Sequence, residues 1–135
     1  ATLVHASLRD PIMEYVTDAN TAEENLRRLN TPLLFHGHTH IPAIWELRGE
    51  VAHLTAVSKD PIPLHGASLV NAGSVGQPRD RDPRAAWLLW ERDEASAGLG
   101  RVTLRRVEYD IPSAQEAIDA AGLPDSLASR LAVGR

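Results

Sequence analysis

Three histidines alternate within five residues, and their spacing is the strongest chemical signal in the chain. His36, His38 and His40 follow a short apolar run, and His5 follows another. Imidazole is a common ligand for first-row transition-metal ions. Residues two apart in an extended segment point the same way. A bend at Gly37 would therefore leave His38 and His40 free to face one metal site.

A histidine in a loop is more often a solvated side chain than a ligand, so position has to decide between the two. His38 and His40 follow a predicted strand, and strand ends in layered folds are where ligand sites collect. His53 and His65 have no such setting. We expect these last two to be ordinary surface or strand residues.

The elements that must position the histidines are predicted from apolar runs and turn residues. Strands are predicted to end at Leu3-Val4 and to span 33–35, 43–47, 51–57, 68–70, 85–90 and 101–109, with a bulge near Arg105-Arg106 and a loop over 59–66. One helix is predicted to begin at a Thr21–Glu24 capping box and to end at 30–32. A second runs from a Ser113–Glu116 capping box to about Ala121, and a third covers 125–133. This order predicts an α+β fold with a mixed sheet and flanking helices.

The composition is that of a globular chain that is neither basic nor dependent on cysteine. The 135 residues are 43% hydrophobic and carry a formal net charge of -4, which argues against general nucleic-acid binding. The absence of cysteine excludes disulfide scaffolds, thiolate zinc sites and cysteine nucleophiles. No segment has the pattern of a membrane span or of a secretion signal. We therefore expect a cytoplasmic protein with no membrane partner.

Three segments together resemble one enzyme family. Gly37-His38-Thr39-His40 is similar to the last metal motif of the calcineurin-like metallophosphoesterases, and the segment 4–11 is similar to the histidine motif before it. The segment 71–80 resembles the glycine-containing loop downstream in the bacterial phosphodiesterase-like branch, and the tail 107–134 is also of that type. The resemblance implies half of a layered α/β/β/α sandwich.

The resemblance also implies roles for individual residues. His5 and His38 would bind one ion of a two-metal centre and His40 the other, the ions being divalent Mn, Fe, Zn or Ni. His36 lies outside the matched motif and is expected to support the ligands or to be structural. Arg9 and Arg79 are expected either to bind phosphate oxygens, for which guanidinium geometry is suited, or to form surface salt bridges.

The motifs of the family's first half do not occur in this sequence. The chain contains no Asp-x-His, no Gly-Asp and no Asn-His pair, so the bridging carboxylate and the general acid are missing. We therefore expect residues 1–135 to be the C-terminal part of a single metallophosphoesterase domain, with no catalytic residue in this chain. Its partners would be a phosphate-ester substrate and the N-terminal half, on a missing segment or a separate chain.

Three functions remain open at this point. The chain would contribute to hydrolysis of a phosphomonoester or phosphodiester by a metal-activated hydroxide. Alternatively, it would be a non-catalytic scaffold on the same fold with a degenerate metal site. The third possibility is an unrelated small domain that holds one zinc with three histidines. The hydrolase interpretation requires the ring of His5 to lie within ~10 Å of the rings of His38 and His40, because no coordination sphere joins ligands farther apart.

Overall fold

A computed structural model describes residues 1–92 and 98–135, and these residues form eight strands, three α-helices and a 3₁₀ turn. The strands are β1 (Thr2–Leu3), β2 (Leu33–His36), β3 (Ala43–Arg48), β4 (Val51–Thr55), β5 (Ile62–Pro63), β6 (Ser68–Asn71), β7 (Ala85–Glu91) and β8 (Arg101–Val107). The helices are α1 (Ala19–Leu26), α2 (Ile111–Ala120) and α3 (Asp125–Ser129), and the 3₁₀ turn is Arg130–Val133.

The strands form one mixed sheet and one antiparallel sheet. The larger sheet has the order β1-β2-β6-β3-β4, in which β1, β2 and β6 are parallel while β3 and β4 run antiparallel to their neighbours. The smaller sheet has the order β5-β8-β7. Because β1, β2 and β6 are parallel, the segments that follow them emerge at one edge of the sheet. Those segments contain His5, His38 and the loop after Asn71.

Two apolar clusters lie on opposite faces of the larger sheet. Strand alternation directs Leu34 to one face and Leu33 to the other. The first cluster joins α1 to the sheet through Ala22, Leu26, Leu34, Trp45 and Leu69. The second fills the space between the two sheets with Leu33, Ile44, Leu64, Val70 and Val102. The layers are therefore α1, the larger sheet and the smaller sheet, which confirms the predicted α+β class with a mixed sheet.

Both capping boxes predicted from the sequence were misplaced by one helical turn. The α1 N-cap is Asp18, whose carboxylate accepts from the Thr21 amide at 2.9 Å. The α2 N-cap is Asp110, which accepts from the Ser113 amide at 3.0 Å. In each case the predicted cap lies inside the first turn, and its hydroxyl donates to the aspartate at 2.8 Å. Aspartate therefore caps both helices, and each begins earlier than predicted.

The second sheet differs from the prediction in two places. Ile62–Pro63 form a short edge strand inside the segment predicted to be a loop, since a proline is tolerated where no ladder donor is needed. The bulge predicted near Arg105-Arg106 is wrong, because β7 and β8 pair in continuous register along their whole length. Arg106 points into the inner face and forms an ion pair with Asp80, so a charged residue at an inward position needs no bulge.

The carboxyl-terminal segment is attached to the loop between β6 and β7. Gly122, with a φ of +67°, ends α2 as predicted, and the predicted last helix is α3 followed by the 3₁₀ turn. The Arg81 amide donates to the Gly134 carbonyl at 2.9 Å. A Cβ on Gly134 would lie 2.8 Å from backbone atoms of Asp82, so a side chain there would collide with the loop. No helix within the described residues has the length and apolar character needed to cross a membrane.

Candidate metal centre

His5 and His38 meet although 33 residues separate them in the chain. Nε2 of His5 lies 3.0 Å from Nδ1 of His38, and the ring centroids are 4.9 Å apart at an interplanar angle of 70°. One of these nitrogens is protonated and donates a hydrogen bond to the other. The parallel pairing of β1 with β2 explains the meeting, because each ring lies on the segment that leaves its strand at the same sheet edge.

The turn that carries His38 and His40 is left-handed at both residues. His38 has a φ of +63° and His40 a φ of +60°, so the expected extended geometry of this segment is wrong. The Thr39 amide donates to the Gly37 carbonyl at 2.7 Å, which closes a γ-turn around His38. A left-handed conformation costs a residue with a Cβ about 1–2 kcal/mol. The surrounding structure must therefore hold this turn in place.

The ring of His40 is fixed by the loop that follows β6. Its Nδ1 lies 2.8 Å from the Gln77 carbonyl oxygen, which can only accept, so Nδ1 carries the proton and Nε2 keeps a lone pair. Burial lowers the pKa of His40, the Gln77 hydrogen bond opposes that shift, and the positive charges of Arg79 and Arg130 add to it. A lowered pKa favours neutral imidazole, which is the form that binds metal ions.

His36 is buried at the end of β2 and is only 6% exposed. Neither ring nitrogen makes a hydrogen bond of good geometry within the described residues, although a backbone contact with Ala6 acts to raise its pKa. Burial dominates and lowers the pKa of His36 to about 4. Because both nitrogens are inaccessible, the geometry is consistent with the structural role expected for this residue.

The segment after His5 is held to α1 by a buried polar network. Arg9 forms ion pairs with Glu14 and Glu24. Asn25 is fully buried and donates to the second carboxylate oxygen of Glu14 at 2.9 Å. Burial acts to raise the pKa of Glu14, but hydrogen bonds from Arg9, Ser7 and Asn25 outweigh it and bring the pKa to about 2. Of the two roles predicted for Arg9, the structure shows the salt bridge.

Arg79 lies beside His40 and has part of its guanidinium uncommitted. Its backbone amide donates to the His40 carbonyl at 3.2 Å, and its Nη2 donates to the Gln77 side-chain oxygen at 2.9 Å. Its Nε is buried and has no hydrogen-bond partner among the described residues. Because Arg79 borders His40 and forms no ion pair among the described residues, whereas Arg9 forms two, it is the better placed of the two arginines predicted to meet a phosphate.

Two residues that sequence reasoning missed also lie at this site. The ring of Tyr15 packs on His38 with the centroids 4.1 Å apart, and the tyrosine is 48% exposed. Arg130 comes from the carboxyl-terminal segment and lies near enough to influence the His40 pKa. Tyr15 belongs to an irregular segment and Arg130 is 90 positions from His40, so neither periodicity nor a local motif could have found them.

The residues present fit part of a metal coordination sphere. An ion ~2.1 Å from each of two imidazole nitrogens that are 3.0 Å apart would see them at roughly 90°, an ordinary angle between ligands. His5 and His38 therefore fit one ion. Within residues 1–92 and 98–135, however, no three or more His, Asp or Glu side chains converge closely enough to complete a site. The candidate ligands present therefore account for only part of such a site.

Comparison with known proteins gives three matches of different kinds, although no family model matches the chain. An uncharacterized protein from Methanocaldococcus jannaschii is 36% identical over 103 residues, which cover 76% of this chain and 40% of the relative. The crystal structure of a metallophosphoesterase from Sphaerobacter thermophilus is similar with a TM-score of 0.86 and 40% identity, covering 98% of this chain and 55% of that one.

A hypothetical protein from Pyrococcus horikoshii shares the fold alone. Its structure superposes with a TM-score of 0.67 at 18% identity, covering 98% of this chain and 46% of that one. The chain therefore spans about half the length of the proteins it matches. The shared region includes the two sheets and the histidine loops, since almost the whole chain superposes.

Proposed function

Because this chain belongs to the calcineurin-like metallophosphoesterase superfamily, we propose that it is the later part of a metal-dependent phosphoesterase domain. Its role there is to supply His5 and His38 to one divalent ion and His40 to a second. The observation that carries the proposal is the 3.0 Å separation of the His5 and His38 ring nitrogens. Two rings so far apart in sequence are brought together where the parallel strands β1 and β2 end.

The chemistry expected of the bound ions is activation of a water and charge neutralisation at a phosphoryl group. Residues of this chain would orient the ligands and supply positive charge for that chemistry. The Gln77 carbonyl holds His40 in the tautomer that leaves Nε2 free to ligate. Arg79, beside that ring, offers guanidinium donors to phosphate oxygens, and Arg130 adds positive charge. Arg9 could take part only if its ion pairs with Glu14 and Glu24 were exchanged for phosphate.

The other half of the site is proposed to come from the N-terminal half of the same domain. The sequence has no Asp-x-His, Gly-Asp or Asn-His pair, and hard or borderline ions favour carboxylate ligands beside imidazole. We propose that this half supplies the bridging carboxylate and the proton donor. The ions are drawn from Mn, Fe, Zn and Ni, the substrate is a phosphomonoester or phosphodiester, and the location is cytoplasmic.

A non-catalytic scaffold is the second candidate. What favours it is that no group of three or more potential ligands converges within the described part of the chain. In that case the histidine turn would be retained as a structural feature, and an exposed surface would bind a protein partner.

Manganese-dependent hydrolysis of bis(p-nitrophenyl) phosphate by the full-length protein that contains this chain distinguishes the candidates. We expect His38→Ala to lower kcat/KM by at least ~100-fold, because it removes a metal ligand. The matched control is His53→Ala, a change at an exposed histidine on β4 outside the site, which should keep wild-type activity. Full activity in His38→Ala would contradict the hydrolase proposal. A wild-type protein that binds no manganese and hydrolyses nothing would support the scaffold.

A further inference from the structure

We propose that Asn71 is the positioning residue that sets the geometry of the histidine turn, by tying that turn to the loop after β6. Asn71 is fully buried at the end of β6, in register with His36 on β2. It cannot reach a substrate, so it would act through the two histidines that follow β2. The part of this inference that concerns metal binding rests on the proposed function, and the part that concerns the geometry of the turn does not.

The side-chain amide of Asn71 donates hydrogen bonds to both residues that flank His38. Its Nδ2 donates to the Gly37 carbonyl at 2.7 Å and to the Thr39 hydroxyl at 3.0 Å. Gly37 and Thr39 are the two residues that flank His38 and close its γ-turn. A residue with a positive φ keeps that conformation when several contacts hold the residues on either side of it. The amide of Asn71 provides that constraint, because it holds both flanks of His38 at once.

The same side chain also fixes the loop that holds His40. Its Oδ1 accepts from the Gly73 amide at 2.9 Å, which bends the chain directly after β6. Gly73 has a φ of +81°, and a Cβ there would lie 2.8 Å from the Pro42 ring. Six residues beyond Asn71, the Gln77 carbonyl orients the His40 ring. One side chain therefore connects the two segments that place the candidate ligands.

The orientation of the Asn71 amide follows from these partners. A carbonyl oxygen can only accept and a backbone amide can only donate, so the nitrogen must face Gly37 and the oxygen must face Gly73. All three hydrogen bonds are lost in Asn71→Ala, while the rest of the turn keeps its sequence. The isosteric Thr39→Val removes one of them, together with the contacts of the Thr39 hydroxyl with the Ile41 backbone, and leaves the bond to Gly37.

Asn25 provides a matched control. It is also fully buried and also makes three hydrogen bonds, to the Leu8 amide, the Glu14 carboxylate and the Thr21 carbonyl. Asn25→Ala removes an equivalent buried amide elsewhere in the fold. A general loss of stability should therefore affect both alanine variants, whereas loss of positioning should affect Asn71→Ala alone.

The first measurement is amide hydrogen exchange of the metal-free chain. We expect Asn71→Ala to accelerate exchange at Thr39 and Gly73 by at least ~10-fold relative to Asn25→Ala. Thr39→Val should act in the same direction at Gly73 with a smaller effect. If Asn71→Ala does not fold, the exchange rate at Gly73 in Thr39→Val is the deciding measurement. Exchange rates at Gly73 equal to wild type in the folded variants would overturn the proposal.

The second measurement is a titration with Co²⁺ followed by its visible absorption. If Asn71 positions the ligands, Asn71→Ala should weaken Co²⁺ binding by about 10–100-fold and alter the absorption bands, which report ligand geometry. Asn25→Ala loosens the segment after His5 but leaves the histidine turn in place, so it should change the affinity and the bands less than Asn71→Ala does. An unchanged spectrum and affinity in Asn71→Ala would refute the positioning role. If no variant binds Co²⁺ but exchange accelerates in Asn71→Ala and Thr39→Val and not in Asn25→Ala, the positioning of the turn is supported while the metal proposal for this chain fails.

Discussion

The carboxyl group of Glu14 links the acid stability of the chain to the segment that follows His5. Its pKa of about 2 lies below the ordinary 4.5, so the unfolded chain binds more protons between these values. The stabilisation is complete above pH ~4.5 and is lost as the pH falls towards ~2. In urea unfolding measured from pH 2 to 7, we expect Glu14→Gln to be less stable at neutral pH and to show a flatter pH profile.

A control for the Glu14 prediction is Glu116→Gln, which removes an exposed carboxyl group on α2. That variant should keep the acid transition of the wild type. If Glu14→Gln and wild type lost stability in parallel over this pH range, the network around Asn25 would not be the source of the acid sensitivity.

At the residue scale, the sequence predicted which histidines could act but not how their turn is built. The pattern of His38 and His40 after a glycine predicts a metal site, and the parallel strands explain why His5 lies beside His38. An extended segment was expected, whereas both residues are left-handed. The cause is Asn71, whose amide contacts depend on strand register 34 positions away and cannot be seen in local spacing.

At the scale of elements, the stability of α1 should depend on Asp18. Its carboxylate accepts from the Thr21 amide and hydroxyl. We expect Asp18→Ala to reduce the free energy of unfolding in urea titrations at neutral pH, because the first turn of α1 loses its cap. Asp18→Asn should lose less, because asparagine is an equally good cap. Equal losses in the two variants would show that charge, and not capping, is responsible.

The misplaced helix starts have a common physical origin. A hydroxyl residue followed three positions later by glutamate fits a capping box, and both predicted helices show this pattern. An aspartate stands three positions before each hydroxyl residue and is the stronger competitor, since its carboxylate can accept from the amide and the hydroxyl together. The central strands β2 and β6 of the larger sheet were easier to predict, because their apolar runs are largely buried on both faces.

At the scale of the whole molecule, the larger sheet has an open edge at β1. This strand is two residues long, pairs with no strand but β2 among the residues that the structure describes, and presents Leu3 with 80% of its surface exposed. Open apolar edges promote pairing between chains. In sedimentation velocity at micromolar concentration, we expect the isolated chain to self-associate and Leu3→Lys to shift it towards monomer.

The matched control for that prediction is Leu123→Lys, which places the same charge at an exposed position after α2. It should associate like the wild type. A wild-type chain that sediments as a monomer, or a Leu3→Lys variant that associates as strongly as Leu123→Lys, would show that the β1 edge does not drive assembly. The position of β1 at this edge could not be predicted from local sequence, because strand order is a property of the folded sheet.

The bond between Arg81 and Gly134 has a mechanical consequence. Tension applied to the final residue would pass into the loop between β6 and β7 before it reached either sheet, because that bond joins the carboxyl-terminal turn to this loop. The same loop carries Gln77 and Arg79, which border His40. A pulling experiment anchored at residue 135 should therefore disturb the histidine site at lower force than one anchored at β4.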